Sequence, residues 1–323
     1  MGRGAAAIAL AVAVFATTTT ACRPSPGRPA AGAPAPTSTS SVALTPSSGP
    51  SPTATAGAEP VLLAAGDIAS CSSSGDEATA ALVAAQPSAL VVTLGDDVYD
   101  SGTPSEFAHC YDPSWGASRA RTRPAPGNHD YATPGAAGYF EYFGALAGDP
   151  AKGYYSYDVG AWHVVALNSN CSVVSCAAGS AQEQWLRADL AAHPTACTLA
   201  YWHHPRFSSG TVHGSSTAVA PLWRALYDNN ADLVLSGHEH NYERFAPLDP
   251  AGRVDEGRGV RSFVVGTGGA SHYPLGTPIS GSEARNSDTF GVLQLTLEAD
   301  GFDWRFLPQP GKTFTDAGSA RCH

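Results

Sequence analysis

Six short apolar runs in this chain end abruptly in a glycine, an acid, an amide or a histidine. Residues 61–65 run into Gly66-Asp67, 89–94 into Gly95-Asp96, and 162–167 into Asn168. Residues 197–202 run into His203-His204, 232–235 into Ser236-Gly237-His238, and 263–265 into Gly266. Runs this short, rich in Val and Leu and bounded by turn formers, read as strands buried on both faces. Helical spacing lies between several of them. Residues 76–85 are alanine-rich and start with acids, which suit the positive end of a helix dipole. Residues 181–192 bring Trp185, Leu186 and Leu190 onto one face, and 218–227 do the same with Leu222, Trp223 and Leu226. Alternating strands and helices predict an α/β domain. After Ser262 only strand patterns remain, at 262–265, 290–297 and 302–307, which predicts a second sheet stacked on the first.

In α/β sheets, functional groups collect just beyond the carboxyl ends of strands. Asp67, Asp96, His203 and His238 each occupy such a point, so separate segments would deliver metal-ligating groups to one sheet edge. The stretch Gly95-Asp96-Asp97-Val98-Tyr99 adds a tyrosine, and Gly127-Asn128-His129-Asp130 adds an amide and an imidazole. Gly237-His238-Glu239-His240 sets two histidines around one residue after a glycine turn, which suits chelation. Each piece alone reads equally well as a turn, an acidic loop or a core histidine. As an ordered set they point to metal chemistry.

That order, Gly-Asp, Gly-Asp-x-x-Tyr, Gly-Asn-His-Asp, His-x-Pro and Gly-His-x-His, resembles the calcineurin-like metallophosphoesterases. Tyr99 and the run from Gly237 to Arg244 are similar to the purple acid phosphatase branch, and the resemblance spans residues 66–244. It implies two stacked mixed β-sheets flanked by helices, a four-layer sandwich. It also implies that Asp67, Tyr99 and His240 hold one metal ion and that Asn128, His203 and His238 hold a second. Asp96 would bridge the two. His129 would stand beside the substrate as proton donor, and His204 is a further candidate for substrate contact. Arg206 and Arg244 could bind phosphate as readily as they could pair structurally. The first motif departs from the branch, reading Gly-Asp-Ile-Ala where Gly-Asp-x-Gly is usual. The β-sandwich that precedes the catalytic domain in larger plant members is not expected here, because residues 23–58 read as a tether.

The ligand types have a physical preference of their own. Tyrosinate is a hard, charged oxygen donor that favours Fe(III), whereas an amide with two imidazoles suits Zn(II), Mn(II) or Fe(II). The chain carries a formal charge of −10 and only two lysines, Lys152 and Lys312, which speaks against an electrostatic nucleic-acid face. An acidic protein repels phosphate unless a site supplies its own positive charge, and two such ions leave about one net positive charge after their ligands are counted. Ions about 3.5–4 Å apart clamp the attacking and leaving oxygens, so a metal-bound hydroxide could attack in line. The expected activity is hydrolysis of phosphate monoesters. A phosphodiesterase or nucleotidase with the same metals is the alternative, with loops 101–111, 208–216 and 270–278 shaping the pocket. A non-catalytic metal or phosphate binder at the cell surface is the reading from another class, and the complete motif set speaks against it.

Residues 1–22 read as an export signal: Arg3 is followed by an apolar stretch at 5–16, too short for the roughly 20 residues that span a bilayer. Cys22 sits where a bacterial lipoprotein carries its lipidated cysteine, although Thr19 stands where leucine is usual. Residues 23–58, mostly Pro, Ala, Ser, Thr and Gly, predict a disordered linker, and 59–323 a single catalytic domain. Setting Cys22 aside leaves Cys71, Cys110, Cys171, Cys176, Cys197 and Cys322, enough for three disulfides outside the cytoplasm, with Cys171–Cys176 as a short clip. The expectation is a monomer, secreted or anchored to the outer face of the bacterial cell membrane through a lipid on Cys22, with a small phosphate ester as its partner.

Overall fold

The computed structural model describes residues 59–195 and 197–323; the expected signal at 1–22, the candidate lipid site Cys22 and the expected linker at 23–58 lie outside them. Strand β1 (Val61–Ala65) shows why the first apolar run is continuous. Successive strand side chains point to opposite faces. Leu62 and Ala64 therefore enter one core, and Leu63 and Ala65 enter another.

After β1 come β2 (Ala69–Ser70), helix α1 (Gly75–Ala84), β3 (Leu90–Leu94), β4 (Val98–Tyr99) and the single turn α2 (Pro104–Glu106). The chain continues through β5 (Thr122–Ala125), α3 (Ala137–Phe143), β6 (Tyr155–Val159), β7 (Trp162–Ala166), α4 (Ala181–Ala192) and β8 (Cys197–Tyr201). Then follow α5 (Ala220–Asp228), β9 (Leu233–Ser236), β10 (Tyr242–Leu248), β11 (Val260–Val265) and β12 (Ser282–Asn286). The last strands are β13 (Gly291–Leu297), β14 (Gly301–Pro308) and β15 (Ala317–Arg321).

One sheet has the order β15-β14-β13-β1-β3-β5, and the other β12-β10-β11-β9-β8-β7-β6; β2 and β4 form a small third sheet. Both large sheets are mixed. β1, β3 and β5 run parallel, with β13 antiparallel beside β1. β7, β8, β9 and β11 run parallel, with antiparallel neighbours at both edges. The core between the sheets takes Leu62, Val92 and Leu293 from one and Val164, Leu199 and Leu235 from the other. Leu186 and Leu190 of α4 and Leu222, Trp223 and Leu226 of α5 cover the outer face of the larger sheet, and Trp185 packs there only partly buried. Val83 of α1 and Tyr139, Phe140 and Phe143 of α3 cover the smaller one. The result is the expected four-layer α/β sandwich.

The strands after Ser262 do not form a sheet of their own. β11 joins the parallel strands of the larger sheet, whereas β13 and β14 complete the sheet begun by β1 and β3. Alternating burial marks a strand but does not name its partner; Leu293 pairs with Ala64 only because both sheets must bury that face. Three disulfides form, Cys71–Cys110, Cys171–Cys176 and Cys197–Cys322. The short clip is as expected, and the other two join segments that only the fold brings together.

Candidate metal centre

The carboxyl ends of β1, β3 and β5 in one sheet and of β8 and β9 in the other meet at one edge. Backbone hydrogen bonds stitch the turns there: Gly66 N–H donates to Val265 O at 2.9 Å, Asp67 N–H to Gly95 O at 3.0 Å, and Gly237 N–H to His203 O at 2.9 Å. Asp67, Asp96 and His238 leave their strands with φ of 60°, 52° and 71°. Non-glycine residues avoid this left-handed region, which costs on the order of 1–3 kcal/mol each, and it recurs where a site demands it. Glycines give the carboxylates room. A Cβ on Gly127 would lie 2.1 Å from Asp96 Oδ1, and one on Gly237 would lie 2.6 Å from Asp67 Oδ2.

All seven side chains expected to bind metal converge. Tyr99 Oη lies 2.9 Å from Asp67 Oδ1, 3.1 Å from Asp96 Oδ2 and 3.0 Å from His240 Nε2. His203 Nε2 lies 3.1 Å from Asp96 Oδ2, 3.1 Å from Asn128 Oδ1 and 3.0 Å from His238 Nδ1. Asp96 Oδ2 is thus the atom common to both halves. Asp67 and Asp96 are buried, and among the described residues no lysine or arginine pairs with either.

This donor set fits cations. His203 Nδ1–H donates to Leu94 O at 2.8 Å, which leaves the Nε2 lone pair facing the Asp96 and Asn128 oxygens. Lone pairs crowded together need a proton or a metal ion between them. Burial pulls His203 down, but Asp96 outweighs it and raises the ring to about 9. Burial and the Asp67 and Asp96 carboxylates push the Tyr99 phenol well up. Acid-rich surroundings thus hold protons on Tyr99 and His203, and a polyvalent cation would take their place.

The neighbours fix these groups. Asp130 accepts from the N–H groups of Gly127, Asp96 and Asp97 at 2.8, 3.0 and 3.4 Å, and burial with Asp96 nearby pushes it up to about 8. Ser169 Oγ accepts from His203 N–H at 3.2 Å and His204 N–H at 2.9 Å. Its own hydroxyl proton therefore goes to His204 Nδ1, 2.8 Å away, which leaves Nε2–H as the donor on that ring. Burial and the neighbouring His203 lower His204 to about 3, so it stays neutral. His129 Nδ1–H donates to Asp100 O at 2.6 Å, and the ring lies 4.4 Å from that of Tyr99.

Neither candidate arginine reaches the site. Arg244 is committed to Asp316, at 2.6 and 3.1 Å, and to Glu283. Arg206 lies over Phe207 and donates to Pro250 O. Two aromatic groups at the site escaped the sequence reading. His213 stacks on His238 with ring centroids 4.0 Å apart, and Tyr273 stacks on His240 at 3.8 Å. Their loops, 208–216 and 270–278, were expected to shape the pocket, but neither ring was singled out within them. A cavity of about 270 Å³ opens beside Tyr99, lined by Ser70, Ser72, Asp100, His129, His240, Ala270, Ser271 and Tyr273.

A profile of the calcineurin-like phosphoesterases matches residues 61–242. The chain belongs to that family. Its relatives point to the purple acid phosphatase-like branch. Purple acid phosphatase 15 of Arabidopsis thaliana is 27% identical over 221 residues, covering 56% of this chain and 40% of the plant protein. Purple acid phosphatase 21 of the same plant is 36% identical over 109 residues, 31% of this chain and 24% of the plant protein. The matches thus span less than half of either relative. In three dimensions, a purple acid phosphatase from yellow lupin (Lupinus luteus) seeds superposes with a TM-score of 0.64 at 17% identity, over 81% of this chain and 53% of the lupin chain. GAP50 of Plasmodium, described as an anchor in the inner membrane complex, has a TM-score of 0.62 at 15% identity, over 83% of this chain and 90% of its own. The fold therefore also serves a protein described as an anchor, and activity has to be argued from the site. The family implies two metal ions, and the His/Asp grouping at Asp96, His203 and His238 could bind one.

Proposed function

We propose that the chain is an exported hydrolase of phosphate monoesters that works with two metal ions. One observation carries this reading: Asp96 Oδ2 lies within 3.1 Å of both Tyr99 Oη and His203 Nε2, so a single carboxylate oxygen joins two clusters of metal donors. Asp67, Tyr99 and His240 would hold one ion, and Asn128, His203 and His238 the other, with Asp96 between them. Tyr99 favours Fe(III) in the first place, and the nitrogen-rich second place suits Zn(II), Mn(II) or Fe(II). When bound, such a pair supplies positive charge to the phosphoryl group and Lewis-acid activation of water.

The chain's own residues do the rest. His129, anchored through Nδ1 on Asp100 O, would in its imidazolium form carry a second proton on Nε2 to hand to the leaving oxygen. His204, held neutral with its proton on Nε2, would donate to a phosphate oxygen. Asp130 keeps the Asp96 and Asn128 turns in register through its three N–H bonds. Serine hydroxyls and the small cavity beside Tyr99 suit a compact polar ester.

Three disulfides support an oxidising compartment, and the reading of 1–22 as a signal, 23–58 as a linker and 59–323 as one catalytic domain agrees with it. Among the described residues no helix is long and apolar enough to cross a membrane. Lipid attachment at Cys22 and a monomeric state complete the proposal. Turnover of p-nitrophenyl phosphate and of its bis-ester decides the substrate class. Monoester turnover no faster than diester turnover would favour a phosphodiesterase or nucleotidase. Unchanged hydrolysis in both Asp96→Ala and His129→Ala would remove the mechanism altogether.

A further inference from the structure

Glu239 lies between His238 and His240 in sequence, yet its side chain serves a different part of the molecule. It is fully buried, and its Oε1 accepts from the backbone N–H groups of His213 at 2.6 Å and Gly214 at 2.5 Å. Its second oxygen is buried with no hydrogen-bond partner among the described residues. Four residues further on, at the start of β10, Glu243 Oε2 accepts from Ser209 N–H at 2.7 Å. Two carboxylates thus hold one loop, residues 208–216, from beneath.

The loop needs such a hold. Apart from Val212 and His213 it is serine, glycine and threonine, and Val212, its one aliphatic side chain, is 48% exposed. Almost no apolar burial orders it, so hydrogen bonds must offset its conformational entropy. Charge-assisted bonds to backbone N–H groups are the strong kind. The loop in turn pairs with the segment that carries Tyr273: Gly276 N–H donates to Ser209 O at 2.8 Å and Thr211 N–H to Pro274 O at 3.2 Å. Both aromatic walls of the site, His213 over His238 and Tyr273 over His240, therefore belong to one assembly seated on Glu239.

We infer that Glu239 is a positioning residue: its buried carboxylate clamps the 208–216 loop so that the His213 ring stays at the mouth of the metal centre, where a phosphate ester enters. The inference rests on the function proposed above. It explains why an acid occupies the position between two candidate ligands, where a negative charge that binds nothing would be costly. It also explains Gly210, whose added Cβ would lie 2.1 Å from the Glu239 carboxyl carbon.

The test compares Glu239→Ala, Glu239→Gln, Gly210→Ala, His213→Ala and the Glu239→Ala/His213→Ala double variant in the full chain. Amide hydrogen exchange at His213 and Gly214 is read together with bound metal and p-nitrophenyl phosphate kinetics. Glu239→Ala and Gly210→Ala should lose protection at both amides, while Glu239→Gln, which keeps an acceptor, retains most of it. Metal content should stay at the wild-type level in all of them. kcat/KM should fall about 10- to 100-fold in Glu239→Ala, since a displaced positioning group costs that much. It should fall similarly in His213→Ala and no further in the double variant, because the two act as one unit. Unchanged exchange in Glu239→Ala, multiplying losses in the double variant, or metal lost in step with activity would each overturn the inference. Should Glu239→Ala not fold, Gly210→Ala, at a half-buried position of the loop, carries the same test. Exchange needs no turnover, so a wild-type protein that hydrolyses nothing defeats the proposed function while the clamp is still decided.

Discussion

Asp67 Oδ2 accepts a hydrogen bond from the backbone N–H of His238 at 2.8 Å, which ties the turn after β1 in one sheet to the turn after β9 in the other. The same carboxylate presents Oδ1 to Tyr99 and His240. One side chain thus closes the seam between the sheets and faces the candidate metal centre.

Those two tasks separate on mutation. Asp67→Asn keeps an acceptor for His238 N–H and loses the charge, whereas Asp67→Ala loses both. Both variants should bind less metal and hydrolyse little. Asp67→Ala should also be less stable than Asp67→Asn by about 1–3 kcal/mol, the cost of a buried N–H left unpaired. Urea unfolding of the two metal-free proteins measures the gap, and equal midpoints would refute the second task.

Tyr99 carries the case for iron. The purified protein should show a visible tyrosinate-to-iron band, and Tyr99→Phe should abolish it. Chelation should bleach the wild type and lower its thermal midpoint, since ligand at a hundred times its Kd stabilises by about 2.7 kcal/mol. Iron bound without a visible band would refute Tyr99 as its ligand.

The Cys197–Cys322 disulfide closes the longest covalent loop of the three, with a separation of 125 residues, and pins the C-terminal segment to β8. Replacing both cysteines by serine should cost about 2–5 kcal/mol, mostly through a less constrained unfolded chain. kcat on a monoester should hold, because Cys197 begins the strand whose other end reaches His203. Calorimetry and a rate assay on one preparation test both halves.

His163 is buried between Asp189 Oδ2 and Asp158 Oδ1, each 2.8 Å away, with His193 stacked on it at 4.3 Å. Burial alone would lower the ring, but the hydrogen bonds to Asp189 and Asp158 outweigh it and raise it above its usual value. A raised histidine stabilises the fold fully below its unfolded value of about 6.5, and that contribution fades as pH climbs through the folded value. Wild-type stability should therefore decline from pH 6 to pH 8.5 more steeply than that of His163→Gln. Parallel curves for the two proteins would show that the ring does not titrate as argued.

The amino-acid sequence by itself determined the strand ends and what stands on them. Gly66-Asp67, Gly95-Asp96, Gly127-Asn128 and Gly237-His238 are local signals, since a turn needs its glycine and a ligand needs its donor atom within a few residues. Helix α4 was legible for the same reason, its apolar face lying within residues 181–192. Only the tertiary structure decided which strands share a sheet, that Cys71 meets Cys110 and Cys197 meets Cys322, that Arg244 is committed to Asp316, and that His213 and Tyr273 stack on His238 and His240. Each of these joins residues far apart in the chain, and such contacts are fixed by which buried faces fit together, a property no short window of sequence contains.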